Sequence, residues 1–378
     1  MTVNIGIARE TADGERRVAI VPETCKKLIA AGASVRVERG LGLGAHFSDQ
    51  AYADAGASVV EDAAAALGDA DLVLCVQAPD TARIAMMKHG AALVGSLQPQ
   101  ADEVRANALQ SNGIVAFPLE KLPRTTRAQA MDVLSSQAGM AGYKAVLIAA
   151  QLAPRFFPML TTAAGTIRPS KVLIIGAGVA GLQAVATAKR LGAQVEGFDV
   201  RPEVREQIES LGGKFVDLGV SAAGEGGYAR QLTDEERAEQ QRRLGEHIRN
   251  IDVIVCTAAV PGRPAPKIVS AAMVSGMKPG SVIVDLAAET GGNCELTQPG
   301  STIDVEGVTI AGPLNLASSG AMHASEMYAR NVFNFVSLFV KDGAMVFDWN
   351  DELLAKTVWP SRDEPTVATD PNAPPRAG

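Results

Sequence analysis

The residues with the clearest chemistry are Gly176-Ala177-Gly178-Val179-Ala180-Gly181, placed directly after the apolar run Lys171–Ile175 and ahead of a helical pattern over Leu182–Leu191. The first glycine permits a tight turn, and the second lets backbone N–H groups approach a pyrophosphate. The third lets helix and strand pack closely, and the helix N-terminus adds a field that favours negative charge. Such spacing alone is a weak signal, but a strand before it and a helix after it make a dinucleotide site. Asp199 ends the next apolar run, Gln194–Asp199, where a carboxylate can accept hydrogen bonds from adenosine ribose hydroxyls and repel a 2′-phosphate, favouring NAD(H). Arg201 lies two residues on and is able to accommodate a 2′-phosphate, so NADP(H) stays open beside NAD(H).

Other chemistry finds little support. His46, His89, His247 and His323 show no i,i+4 or H-E-x-x-H arrangement and the carboxylates form no ligand-spaced cluster, so no metal site is expected. Cys25, Cys75, Cys256 and Cys294 are far apart with no C-x-x-C pair, which reads as four reduced, packed thiols. There is no G-x-S-x-G, no P-loop and no Cys–His nucleophile setting, which argues against covalent catalysis and phosphoryl transfer. Hydride transfer remains. Between two nicotinamides it moves no substrate proton, so it requires positioning and water exclusion rather than an acid or base.

The elements that position these residues fall into two series. Short β-type runs at Asn4–Ala8, Ser34–Glu38, Leu72–Val76, Ala91–Gly95 and Ile114–Phe117 alternate with helical patterns such as Pro22–Ala31 and Ala101–Ser111. A second series follows at Lys171–Ile175, Gln194–Asp199, Gly213–Val216, Asp252–Cys256, Ser281–Leu286 and Val308–Gly312. Both predict an α/β fold of two Rossmann-like, doubly wound parallel-sheet domains around a cleft. Met131–Leu152 reads as a connecting spine and Ala321–Lys341 as a returning helix. The expected division is residues 1–128 with 325–362 as the N-terminal lobe, 129–324 as the NAD(H)-binding domain and 363–378 as a disordered tail within the Pro-rich stretch Ser361–Gly378. Gly40-Leu41-Gly42-Leu43-Gly44 has the wrong spacing for a second fingerprint and reads as a turn. The segment Phe157–Pro169 is either a projecting hairpin around Gly165 or a plain loop.

The 378 residues, 47% apolar and 20% charged, suffice for two compact domains. A net charge of -7 argues against nucleic acid or an anionic membrane surface as a partner. Apolar stretches such as Ala145–Ala153 and Val332–Val340 are well short of the roughly 20 residues a spanning helix needs. The N-terminus turns charged at Arg9 and Glu10, too early for a secretory signal, so a cytoplasmic location is expected.

Four segments together carry a resemblance: Glu15-Arg16-Arg17-Val18-Ala19-Ile20-Val21-Pro22-Glu23, Pro123–Gln137 with its Arg127-Ala128-Gln129-Ala130-Met131-Asp132-Val133-Leu134-Ser135-Ser136-Gln137 run, Gly176–Gly181, and Val284–Gly292. The chain resembles the NAD(H)-binding component of proton-translocating transhydrogenases, from the alanine dehydrogenase/transhydrogenase family, over about Val3 to about Pro360. The resemblance implies that Arg124, Arg127, Gln129, Asp132, Val133, Leu134 and Ser135 hold the nicotinamide ribose and carboxamide. Arg124, Gln129, Asp132 and Ser135 would position it and Gln129 would bridge towards the second nucleotide. Without the resemblance, these residues are equally polar helix-start and capping groups. It further implies contacts from Ala177, Val179, Val200, Gly227, Tyr228, Gln240 and Ala259, and a mobile loop matched by Ser221–Gly227. NADP(H) would sit on a partner subunit, a membrane-spanning proton-translocating subunit would be a second partner, and the chain would be a homodimer, peripheral on the inner face of the membrane. The segment Gly312–Asn315 departs from the family's turn, and the contact of Asn315 is left unassigned.

The related alanine dehydrogenases carry an arginine matched here by Arg17, but their substrate lysine, catalytic histidine and aspartate correspond to Gln77, Ser96 or Leu97, and Glu289. Without lysine and histidine there is no evident group to grip an amino-acid carboxylate or handle the amine proton. An amino-acid dehydrogenase and an inert NAD-sensing subunit are the alternatives to the transhydrogenase component.

Overall fold

The computed structural model describes residues 2–219, 232–259 and 262–361. Contacts divide the chain into two units: unit 1 is Met1–Leu134 with Ala321–Gly378, and unit 2 is Ser135–Gly320. Each is built on its own doubly wound sheet, the α/β architecture expected.

The sheet of unit 1 has six strands: β1 (Asn4–Ile7), β2 (Ser34–Glu38), β3 (Ser58–Val60), β4 (Leu72–Gln77), β5 (Ala92–Ser96) and β6 (Val115–Pro118). They run parallel in the order β3-β2-β1-β4-β5-β6. Ile5, Ile7, Leu72 and Leu74 are buried because helices cover both faces, which is why these runs read as continuously apolar. The winding reverses between β1 and β4, and that reversal opens a crevice at their carboxyl ends.

Unit 2 begins with an antiparallel hairpin of β7 (Leu160–Thr162) and β8 (Gly165–Ile167), exposed along its length, so the hairpin reading of Phe157–Pro169 holds over the loop. Its main sheet comprises β9 (Lys171–Ile175), β10 (Gln194–Phe198), β11 (Lys214–Phe215), β12 (Val253–Cys256), β13 (Val282–Asp285), β14 (Thr302–Val305) and β15 (Val308–Ala311). The order is β11-β10-β9-β12-β13-β15-β14, parallel except for the edge strand β14. The reversal here lies between β9 and β12. The helix Val133–Leu152 packs on this unit through Gly142, where a Cβ would lie 2.0 Å from the carbonyl oxygen of Ala180.

Three elements differ from expectation. The returning helix ends at Val336, not Lys341, and the chain continues into β16 (Val340–Lys341) and β17 (Ala344–Met345). Asp342 and Gly343 both take positive φ between them, the two-residue turn that suits a right-twisted hairpin. Strands β3 and β14 were not anticipated, since neither carries a buried apolar run. The helix after β9 starts at Val179, three residues ahead of the expected Leu182.

Among the described residues no helix is long and apolar enough to cross a membrane, and no group of three or more His, Cys, Asp or Glu could hold a metal ion. All four cysteines are buried free thiols. The tail 363–378 lies outside the described residues.

Candidate nucleotide-binding site

At the end of β9 the chain turns through Gly176 with φ +92°, a left-handed conformation that glycine adopts without strain. The Gly176 N–H still donates to Phe198 of β10 at 2.8 Å, so the turn stays tied to its neighbouring strand. A Cβ on Gly181 would fall 1.9 Å from the Gly176 carbonyl oxygen, which excludes any larger residue. Gly178 is different: a Cβ there meets nothing within 4 Å. It is the N-cap of the helix Val179–Arg190, and no side chain caps that end. The first-turn N–H groups thus face open space at the positive end of the helix dipole, an arrangement suited to a pyrophosphate.

Asp199, immediately after β10, is buried. Its Oδ2 accepts the Ala177 N–H at 2.7 Å and Arg201 Nη2 at 2.7 Å, and its Oδ1 accepts the Arg201 N–H and Nε, each at 2.9 Å. Burial alone would raise the carboxyl, but the Arg201 guanidinium and the two backbone N–H groups outweigh it and hold Asp199 below the usual carboxylate range. Beside it lies a cavity of about 190 Å³ lined by Asp199, Val200, Pro202, Arg205, Phe215 and Leu218, among others. Arg205 covers the Phe215 ring at 4.5 Å and pairs with Asp217 at 2.8 Å.

The rest of the crevice is held by residues that the sequence did not single out. Thr257 Oγ1, after β12, donates to Gly176 O at 2.9 Å and fixes the glycine turn. The fully buried Asn293 accepts the Ala258 N–H at 3.0 Å and donates to the carbonyls of Ala258 at 2.7 Å and Pro266 at 2.9 Å. Asp285, ending β13, accepts from the Ala287 and Cys294 N–H groups and from Thr297 Oγ1 at 2.6 Å. A lone polar residue just past a buried apolar run is the one signal that marks Thr257 and Asp285 in the sequence. Glu289 Oε1 accepts the N–H of Asn315 at 2.5 Å, which joins two positions read separately.

The structure thus brings Gly176, Ala177, Gly178, Val179, Gly181, Asp199, Val200 and Arg201 to one set of strand ends. Ala259 is exposed on the loop after β12. Gln240 is buried on the helix Asp234–Ile248, on one face with Leu244 and Ile248. Gly227 and Tyr228, with the stretch Ser221–Gly227, lie outside the described residues. In unit 1, Arg124, Arg127, Gln129 and Leu134 are exposed, Asp132 is half-buried and Val133 is buried. Arg127 forks onto Asp351, with Nη1 to Oδ1 at 3.0 Å and Nη2 to Oδ2. Asp351 in turn caps the helix Glu352–Thr357. Ser135, half-buried, opens unit 2.

Residues 6–141 match the family described as alanine dehydrogenase/PNT, N-terminal domain, and residues 145–366 match its C-terminal domain. The chain belongs to the alanine dehydrogenase/PNT family.

Within that family it is similar to the first portion of the split NAD(P) transhydrogenase subunit alpha of Rhodospirillum rubrum, at 45% identity over 94% of this chain and 95% of the relative. The crystal structure of transhydrogenase from Sinorhizobium meliloti superposes with a TM-score of 0.86 at 44% identity, covering 94% of this chain and 97% of that one. Alanine dehydrogenase of Bacillus subtilis is 29% identical over 85% of this chain and 87% of the relative.

The positions that align with alanine dehydrogenase chemistry lie in unit 1 and are filled from within. Arg17 is buried, and Glu15 accepts its Nε at 2.8 Å and its Nη2 at 2.6 Å. Gln77 Nε2 donates to the same Glu15 at 3.0 Å. Burial opposes the charge on Glu15, but the Arg17 guanidinium holds its carboxyl down at about 2. Leu97 is fully buried, and Ser96 ends β5.

Proposed function

We propose that unit 2 binds NAD(H) and that the chain is the NAD(H)-binding component of a proton-translocating transhydrogenase, exchanging hydride directly with NADP(H) held by a partner subunit. The observation that carries this is the glycine turn with open space at Gly178, uncapped helix start and Asp199 at the next strand end, in a chain 45% identical to a transhydrogenase subunit. When bound, NAD(H) supplies the nicotinamide that gives or accepts the hydride.

The chain's own residues bind and orient. The N–H groups at Gly178–Gly181 take the pyrophosphate, and Asp199, Val200 and Arg201 line the adenosine ribose. Gln240, Ala259, Gly227 and Tyr228 add further contacts. Arg124, Arg127, Gln129, Asp132, Val133, Leu134 and Ser135 hold the nicotinamide ribose and carboxamide, with Gln129 towards the second nucleotide. No acid or base is needed, because hydride passes between two nicotinamides without a substrate proton. A membrane-spanning subunit carries the proton path, and the chain sits with it on the cytoplasmic face. Two copies associate through the exposed hairpin β7–β8, so gel filtration yields a dimer.

The alternative, amino-acid oxidation, is disfavoured by Arg17, whose guanidinium is neutralised by Glu15. An absorbance assay of hydride transfer from NADPH to an NAD⁺ analogue, with and without the NADP(H)-binding subunit, tests the proposal. Turnover only in the mixture supports it. No turnover there, with NADH oxidised on adding pyruvate and ammonium, replaces it with an amino-acid dehydrogenase.

A further inference from the structure

Asp199 has little acceptor capacity left for a ribose. A carboxylate offers about four lone-pair sites, and here four N–H donors fill them: those of Ala177 and Arg201 from the backbone, and Nε and Nη2 of Arg201. A ribose diol can therefore bond Asp199 only by displacing a donor. The two backbone donors are fixed, one by the glycine turn and one by the chain after β10. The guanidinium stands on a rotatable stem and its side chain is 16% exposed, so it is the donor able to leave.

We propose that Arg201 is a displaceable cap on Asp199 that sets how strongly this site prefers NAD(H) over NADP(H); the inference rests on unit 2 being the NAD(H) site. With the guanidinium in place the pair carries no net charge, and a 2′-phosphate meets a cation as well as an anion. When NAD(H) enters, the ribose hydroxyls take the sites of Nε and Nη2 and the guanidinium swings aside. Arg201 thus opposes NAD(H) by competition and moderates the rejection of NADP(H) by neutralisation. The neighbouring Arg205 is held by Asp217 and Phe215, so it does not replace Arg201 on Asp199.

The experiment measures dissociation constants of NADH and NADPH by nicotinamide fluorescence, at fixed ionic strength, for the full chain and for Arg201→Ala, Arg201→Gln and Asp199→Asn. In Arg201→Ala the NADPH-to-NADH ratio of dissociation constants rises about tenfold, the scale of one charge-assisted hydrogen bond, with NADH bound more tightly than by wild type. Arg201→Gln keeps donors without charge and gives a smaller rise, and it carries the test if the alanine variant misfolds. Asp199→Asn removes the preference. A ratio that is unchanged or lower in both Arg201 variants overturns the proposal, because Arg201 would then anchor nucleotide or only brace the loop. A wild-type chain that binds neither nucleotide overturns the reading of the site itself.

Discussion

The two sheets of this chain share one winding and even one detail of wiring. In unit 2, Asp199 at the end of the second strand accepts the Ala177 N–H at 2.7 Å, two residues past β9. In unit 1, Glu38 at the end of β2 accepts the Arg9 N–H at 2.7 Å, two residues past β1. Each acid also holds an arginine, Arg201 in one and Arg9 at 2.9 Å in the other. The units part at the next residue. Unit 2 continues with Gly178 and a helix N-terminus facing open space, whereas unit 1 continues with Glu10.

The Glu10 carboxylate accepts the N–H groups of Val76 at 2.6 Å and Gln77 at 3.0 Å, at the end of β4, where a bound anion would otherwise find its donors. Glu15 and Arg17 fill the space beside it, leaving a void of only about 20 Å³, near the size of one water. Enclosure of the carboxylate pushes Glu10 up to about 7 despite the two N–H donors. The same topology thus yields one crevice open to a nucleotide and one occupied by the chain's own carboxylates. Topology makes the crevice, and the residues of the first crossover decide whether it binds.

Substitutions can break this contrast, and the largest effect is expected inside unit 2. Gly181→Ala drives a Cβ into the Gly176 carbonyl; it should cost about 4 kcal/mol in chemical denaturation and abolish NADH binding. In unit 1, Glu15→Ala leaves the Arg17 charge buried and uncompensated. It should destabilise that unit by about 3 kcal/mol while leaving the NADH dissociation constant within about twofold. Gly178→Val separates binding from folding, because its side chain enters open space. Its unfolding free energy should stay within about 1 kcal/mol of wild type while NADH binds roughly 30-fold more weakly.

The smallest effect is a pH dependence. Unfolded, Glu10 releases its proton near pH 4.5; folded, it keeps it until about 7. Its contribution to stability is therefore full below 4.5 and lost as pH rises through 7. Denaturation of wild type and Glu10→Gln at pH 5 and pH 8 should show the wild type losing about 2 kcal/mol relative to the variant across that interval. Parallel curves would remove Glu10 as the titrating group.

Most of the fold was legible because buried parallel strands announce themselves as apolar runs. The elements that escaped lack that signature: β3 and β14 are short edge strands with exposed or half-buried residues throughout. The overlong helix past Val336 came from following hydrophobicity rather than the Asp342-Gly343 turn, a hairpin signal that was there to be used. At the site, the glycine pattern and Asp199 were readable from type and spacing. Thr257 and Asn293 were not, because one hydroxyl or one amide that braces a loop has no pattern of its own. Glu10 stood in plain view, but its place on the β4 N–H groups depends on pairing across 66 residues, which no local reading supplies.

The most direct measurement is the stoichiometry of NADH binding by isothermal titration of the wild-type chain and Gly178→Val. One NADH per wild-type chain is predicted, with binding weakened at least 30-fold in the variant and folding intact. Two sites per chain, or affinity unchanged in Gly178→Val, would contradict an open crevice in unit 2 beside a closed one in unit 1.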